Sequence, residues 1–141
     1  FVNAAHARGI KVILDFVAYG ISHTSPFYAS AYGNPSSMYD RWLAFTNTAN
    51  TSYVGSLYNT WNASSVGFIH WDLTNPGAVN TVTAWAAHWL DPNGDGNVAD
   101  GVDGFRLGLH SPAHGSILEC LSWQTGQPLA EELAHIGLAC R

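Results

Sequence analysis

Gly101-Val102-Asp103-Gly104-Phe105-Arg106-Leu107-Gly108 is the stretch on which the reading of the fold turns. Val102 to Leu107 is a short, mostly apolar run with β-branched and aromatic members between glycines, which predicts a strand. A polar Gly/Asp/Asn turn, Asp91 to Gly101, leads into it. Before that turn, Val79, Val82, Trp85, Ala86 and Trp89 recur at spacings of three and four. That stripe predicts an amphipathic helix over 76–90, with Asn75 as its N-cap and Pro76 in its first turn. Upstream, Ile10-Lys11-Val12-Ile13-Leu14-Asp15-Phe16-Val17 is almost continuously apolar, as a parallel strand buried on both faces should be. Val2, Ala5 and His6 sit at helical spacing before it, and Gly9 marks the stop. The order helix, strand, long excursion, helix, strand makes a βαβ unit and implies a parallel sheet or barrel.

The excursion, about residues 18–75, carries Gly, Pro, Ser, Thr and Asn throughout, with aromatic residues interleaved. A structureless loop of that length is uncommon, so it predicts a small inserted subdomain. Tyr39 to Phe45 reads as a short helix inside it, and Gly67-Phe68-Ile69-His70-Trp71 as a short strand. After Leu107 the character changes: all three glutamates and both cysteines, Cys120 and Cys140, fall there, and Ser116–Trp123 and Leu129–Leu138 read as two helices.

Composition narrows the function. The chain has 141 residues, enough for one domain, of which 47% are hydrophobic. Only 11% are charged, against a usual share of roughly 25%. Trp, Tyr and Phe number six each, which suits a surface that meets something polar, uncharged and flat-faced, or one covered by more protein. The net charge is −5 and the five basic residues are scattered, which argues against nucleic acid as a partner. No apolar run approaches the roughly 18 residues a bilayer span needs, and no signal peptide is visible. With Phe1 rather than Met first, the chain reads as an internal piece of something longer. Two cysteines are too few for a disulfide framework. Asn50-Thr51-Ser52 and Asn62-Ala63-Ser64 match the glycosylation sequon, a short pattern that also arises by chance.

Asp91-Pro92-Asn93-Gly94-Asp95-Gly96-Asn97 puts side-chain oxygens at alternate positions and glycine at the sixth, the way a tight loop wraps calcium. Asp91, Asn93, Asp95 and Asp100 are the candidate ligands. The twelfth position is Val102 where a bidentate Glu belongs, so Asp100 or Asp103 must substitute by a shorter path, and a turn that binds nothing fits the same residues. The seven histidines show no HExxH or similar spacing. His70 beside Trp71 fits a sugar-facing pair and equally a packed histidine. A Gly-x-Ser-x-Gly elbow and a phosphate loop are both absent from the sequence.

Lys11–Val17 and Gly101–Leu107, taken together, strongly resemble the first and second signature regions of the alpha-amylase family, glycoside hydrolase family 13. Phe68-Ile69-His70-Trp71-Asp72-Leu73-Thr74-Asn75-Pro76 is similar to that family's run opening the next helix. The resemblance covers about residues 1–107. It implies the third and fourth strands of a (β/α)8 TIM barrel with a small subdomain inserted after the third, followed by a tail, 108–141, unlike the family. It implies a secreted parent, a retaining glycosidase acting on α-glucosidic bonds of starch-like glucans or oligosaccharides, with two carboxyl groups roughly 5–5.5 Å apart. Arg106 matches the arginine that orients the nucleophile two positions on, and Asp15 the aspartate supporting the site from the strand end.

At the nucleophile position stands Gly108, which cannot form the glycosyl-enzyme bond. Tyr19-Gly20 replaces the usual Asn-His pair, leaving His23 to stand in for the substrate-contacting histidine, with Tyr19 and His70 as further sugar contacts. Glu131 or Glu132 lies at a tolerable distance for the acid/base, in surroundings that read as helix. On this reading the chain alone is inactive, and the lost pattern after Leu107 points to a shifted reading frame or an unrelated join. The alternatives are a non-catalytic carbohydrate- or calcium-binding module on the same scaffold, or a spurious frame with no function.

Overall fold

The structure, a computed structural model, describes residues 1–59, 62–63, 65–111 and 115–122. The chain divides into two compact units, one of Phe1–Ala18 with Asn80–Arg141, the other Tyr19–Val79.

In the first unit, α1 (Val2–His6) ends in a turn through Gly9 (φ +71°), and β1 (Ile13–Phe16) follows. β1 is shorter than the 10–17 run. It pairs in parallel with β5 (Gly104–Ser111), with Leu14 opposite Phe105 and Asp15 opposite Arg106. The helix before β5, here α3 (Pro76–Leu90), has the predicted bounds; the Asn75 side chain accepts the Gly77 N–H at 2.8 Å and Pro76 opens the first turn. The crossover therefore gives the parallel pairing that the residue pattern called for. The core is one-sided: Ala5, Val12, Ala86, Leu90, Val102 and Phe105 are buried together, with Leu14 and Phe16 packed against them. Phe16 and Phe105 rings lie 5.2 Å apart. Alternation along β1 then leaves Ile13 and Asp15 exposed on the other face. Gly101 lets the chain pass tightly under the C-terminal end of α3, where a Cβ would run into the Leu90 backbone.

Asp103 ties the lower ends of these elements together. Its carboxylate accepts from Lys11 Nζ at 2.6 Å and from the Val12 N–H at 2.8 Å, and His6 Nε2 lies 2.8 Å away. Its own N–H donates to Val12 O, and His6 Nδ1 lies 3.0 Å from Ala99 O. Partial burial alone would raise the Asp103 pKa. The bonds from Lys11, Val12 and His6 outweigh it and bring the value down to about 2.

Two expectations fail here. β5 does not stop at Leu107 but runs to Ser111, and the expected helix 116–123 is a strand over its described part, 116–122: β6 (Gly115–Ser122) pairs antiparallel with β5, Gly108 opposite Leu118. Ile117, Leu118 and Leu121 fit helical spacing as well as a strand, and the open edge of β5 settles it by offering a full ladder of backbone partners. The resulting sheet, β1-β5-β6, is mixed, and the described residues contain no closed barrel. The expected helix 129–138 lies outside the described residues.

The second unit is an antiparallel sheet in the order β2-β4-β3, with β2 at Gly20–Ser22, β3 at Gly55–Asn59 and β4 at Ser65–His70. The 67–71 strand expectation is met by β4; β2 and β3 were not foreseen. α2 (Pro26–Ala31) is capped by Ser25, and the helix expected over 39–45 is a single 3-10 turn, Asp40–Trp42. Aromatic rings fill the unit: Phe27 lies 4.9 Å from Tyr39, 5.5 Å from Trp71 and 6.0 Å from Trp42. Asn50, 2% exposed and left-handed at φ +56°, donates its amide to Ala31 O, Asn34 O and Asp40 Oδ1. That commitment seals the first sequon, whereas Asn62 of the second is exposed. No helix among the described residues is long and apolar enough to cross a membrane.

Candidate functional site

Parallel register places Asp15 directly opposite Arg106, and both side chains project to the face away from the core. Arg106 Nη1 donates to Asp15 Oδ1 and Oδ2, each at 3.0 Å. The side chains are 50% and 66% exposed, so water screens the pair and its share of stability is at most about 1 kcal/mol. The contact is made by a single guanidinium nitrogen shared between the two carboxylate oxygens. Gly108, two residues along β5, falls on the same face as Arg106 by strand alternation. The register brings together the three positions the motifs singled out, Asp15, Arg106 and Gly108, on neighbouring strands. Gly108, however, sits within a continuous strand paired on to β6, not at a strand end.

The predicted sugar contacts lie in the second unit. Tyr19 and His70 meet edge to face at 5.6 Å, and Tyr19 also faces Phe68 at 6.4 Å. His23 is placed with different neighbours, stacked on Tyr28 at 4.5 Å and edge-on to Tyr53 at 5.1 Å. Its ring lies against Gly67, where a Cβ would collide with it, so glycine there makes the packing possible. His23 Nε2 is buried with no hydrogen-bond partner among the described residues. Tyr28 is pushed up to about 12 by burial, with Tyr53 and Tyr32 beside it adding to the effect.

The 91–100 loop is organised largely by its own backbone. Asp91 accepts the N–H groups of Gly94, Asp95 and Gly96. Asp95 Oδ1 accepts from Asn97 N, and Asn93 Oδ1 from Asp95 N. Asn93 Nδ2 bridges Asp95 Oδ2 at 3.0 Å and Asp100 Oδ2 at 2.9 Å, while Asp100 Oδ1 is buried without a partner among the described residues. Two carboxylates thus converge on the Asn93 amide nitrogen, with Asp91 turned inward as the loop's cap. No group of three or more His, Cys, Asp or Glu side chains able to hold a metal occurs among the described residues. A hard cation here would need Asn93 and backbone oxygens to complete its shell.

The site's motif residues were legible because each has a local signature. The lining of a pocket of about 540 Å³ in the second unit was not, because Pro35, Asp40, Arg41 and Phe45 come from loops and a single 3-10 turn with no periodicity.

A parallel strand pair with a helical crossover, one face packed on the helices and the other carrying an Asp–Arg pair, is a βαβ unit of the kind from which (β/α) barrels and parallel sheets are built. No protein-family model matches the chain. It is 32% identical over 132 residues to an amylopullulanase of Thermoanaerobacterium thermosulfurigenes, covering 78% of this chain and 7% of that protein. It is 27% identical over 124 residues to a trehalose synthase of Pimelobacter sp. (strain R48), covering 76% of this chain and 20% of that protein. The solved alpha-amylase from H. orenii superposes with a TM-score of 0.52 at 25% identity, covering 80% of this chain and 25% of the other. The chain belongs to the alpha-amylase family of glycoside hydrolases, family 13. It spans one fifth or less of the curated relatives it matches.

Proposed function

We propose that the chain is a piece of a secreted enzyme that cleaves α-glucosidic bonds of starch-like glucans or oligosaccharides with retention, and that the piece alone cleaves none. The observation carrying this reading is the Arg106–Asp15 pair beside Gly108 on the same sheet face. A retaining mechanism needs a carboxylate to form the glycosyl-enzyme bond and a second carboxyl to donate and then recover a proton. Arg106 would steady the first of these at position 108, Asp15 would hold Arg106, and Tyr19, His23 and His70 would supply sugar contacts. Glycine offers no attacking atom. The amylopullulanase and trehalose synthase names of the relatives support a glucoside substrate. Glu131 and Glu132, the candidate acid/base residues, lie outside the described residues.

The test is Gly108→Asp within a parent-length protein, assayed for starch hydrolysis with the product anomer followed by NMR. Activity appearing only with the substitution, and α-products first, is the expected result. Activity in the unsubstituted chain, or none in the substituted parent, would overturn the reading. The nucleotide sequence bears on the tail: a family-like continuation with Asp near 108 in another frame is expected if a frame shift produced it, and its absence from both other frames defeats that idea.

Calcium in the 91–100 loop is the second part of the proposal, favoured by the convergence of Asp95 and Asp100 and by the buried, unpartnered Asp100 Oδ1. Asp95, Asp100 and Asn93 would hold the ion, with Asp91 shaping the loop, and the ion would supply structural cross-linking. Binding stabilises by mass action, so the melting temperature should rise with added calcium and fall with chelator; no change in either direction rules the site out.

A further inference from the structure

We infer that Asn93 is a modification site, a spontaneous deamidation held off by the folded 91–100 loop and released when that loop opens. Asn93 alone among the chain's asparagines is followed by glycine, and both residues are exposed. Gly94 has no Cβ to shield its backbone nitrogen, so that nitrogen can reach the Asn93 side-chain carbonyl carbon, the attack by which such amides age. In this step a bond forms between Gly94 N and Asn93 Cγ, the Cγ–Nδ2 bond breaks, and the Gly94 N–H proton leaves on the departing ammonia. Water then opens the resulting cyclic imide at either carbonyl, giving aspartate or isoaspartate. Water is the co-reactant, and no oxidant or reductant enters.

The closed loop commits the groups this reaction needs. The Gly94 N–H donates to Asp91 Oδ1 at 2.8 Å. Asn93 Oδ1 accepts the Asp95 N–H at 3.0 Å, and Nδ2, the leaving group, donates to Asp95 Oδ2 at 3.0 Å and to Asp100 Oδ2 at 2.9 Å. Closing the imide removes both bonds at Nδ2 and the one at Gly94 N, so the molecules that react are those whose loop has opened. The product cannot restore what was lost. Asn93 Nδ2 is the donor between two carboxylates, and Asp100 Oδ1 is already buried without a partner among the described residues. A carboxylate at 93 sets a third negative charge against those two with no proton to share. Isoaspartate also lengthens the backbone where it turns through Gly94 at φ +73°. Deamidation thus makes an opening of the loop irreversible.

The test is incubation of the full chain at neutral pH, with chelator present throughout so that the outcome is independent of the calcium proposal. Peptide mass spectrometry follows the conversion of amide to acid at Asn93, and an isoaspartate methyltransferase assay follows the isomer. Conversion is expected in concentrated urea and at least about tenfold slower in the folded chain, since only the open fraction reacts. Asp91→Ala, which frees the Gly94 N–H, should bring the folded rate toward the urea rate. Gly94→Ala should slow conversion in urea, where folding plays no part. Asn93→Asp should lower the melting temperature, as conversion itself does. No conversion at Asn93 in urea, equal rates in the folded and unfolded chain, or a folded rate unmoved by Asp91→Ala overturns the inference. So does a melting temperature unchanged by Asn93→Asp.

Discussion

The two sheets of this protein use the same backbone chemistry to different ends. β1 and β5 are parallel, are packed by α1 and α3 on one face, and show the other face to solvent with Ile13, Asp15 and Arg106 on it. β2, β4 and β3 are antiparallel, with Ile69 at the centre fully buried and aromatic rings closing the unit. The first sheet leaves one face to solvent and draws its stability from the other; the second is centred on the buried Ile69. Residues of one type should therefore cost very different amounts to alter in the two sheets.

The largest test of that contrast is the core of each. Phe105→Ala should cost about 3–5 kcal/mol and Ile69→Ala about 2–5 kcal/mol in denaturant melts, since both are buried and leave cavities. Ile13→Ala, the same change as at Ile69 but at a position 49% exposed, should stay within about 0.5 kcal/mol. Equal costs at Ile13 and Ile69 would mean that the open face of β1 is covered in solution.

Gly101→Val comes next. Its added carbons meet the Leu90 backbone, which cannot rotate away, so a loss of roughly 1–3 kcal/mol is expected, read as a lowered melting temperature.

Acid sharpens the comparison at the Asp103 clamp. The folded value near 2 lies below the ordinary 3.8, so the stabilisation is present above about pH 4 and disappears as pH falls through 2. The amount is roughly 2 kcal/mol for a side chain only 18% exposed. Urea melts between pH 5 and 2 should show this loss, and Asp103→Asn should remove that slope.

The smallest effect belongs to the candidate site. Asp15→Asn should change stability by less than about 1 kcal/mol in 0.15 M salt. A larger loss would make the Arg106–Asp15 pair a structural brace and weaken its functional assignment.

Much of the first unit was legible in advance because its signals are local. Asn75 and Pro76 announce the start of α3 within two residues; of its predicted stripe Val82 and Ala86 are buried, whereas Trp85 and Trp89 are exposed and Ala78 and Leu90 complete the buried face. Asp15 and Arg106 stood out as charges inside apolar runs, and the helix between them implied parallel strands; that the two residues stand opposite each other is set by the register. The second unit gave less away. β2 is three residues long, Gly20–Ser22, and exists through its bonds to β4. Asn50 looked like a sequon and is a buried structural amide, because the groups that claim it lie 10 to 19 positions distant.

Residue order alone, then, carried the helix, the two parallel strands, Asp15 and Arg106 as candidates and the missing side chain at 108, since propensity, capping and alternation act over a few neighbours. The folded chain was needed to show that β5 continues past Gly108 and takes β6 as an antiparallel partner. It was needed also for the clamp of His6 and Lys11 on Asp103, and for the Asn50–Asp40 frame behind the pocket. The clamp needs partners 92 and 97 positions away, the Asn50 amide needs acceptors 10 to 19 positions away, and β6 needs the open edge of β5; the free energy of such pairings appears only once both ends have left water together.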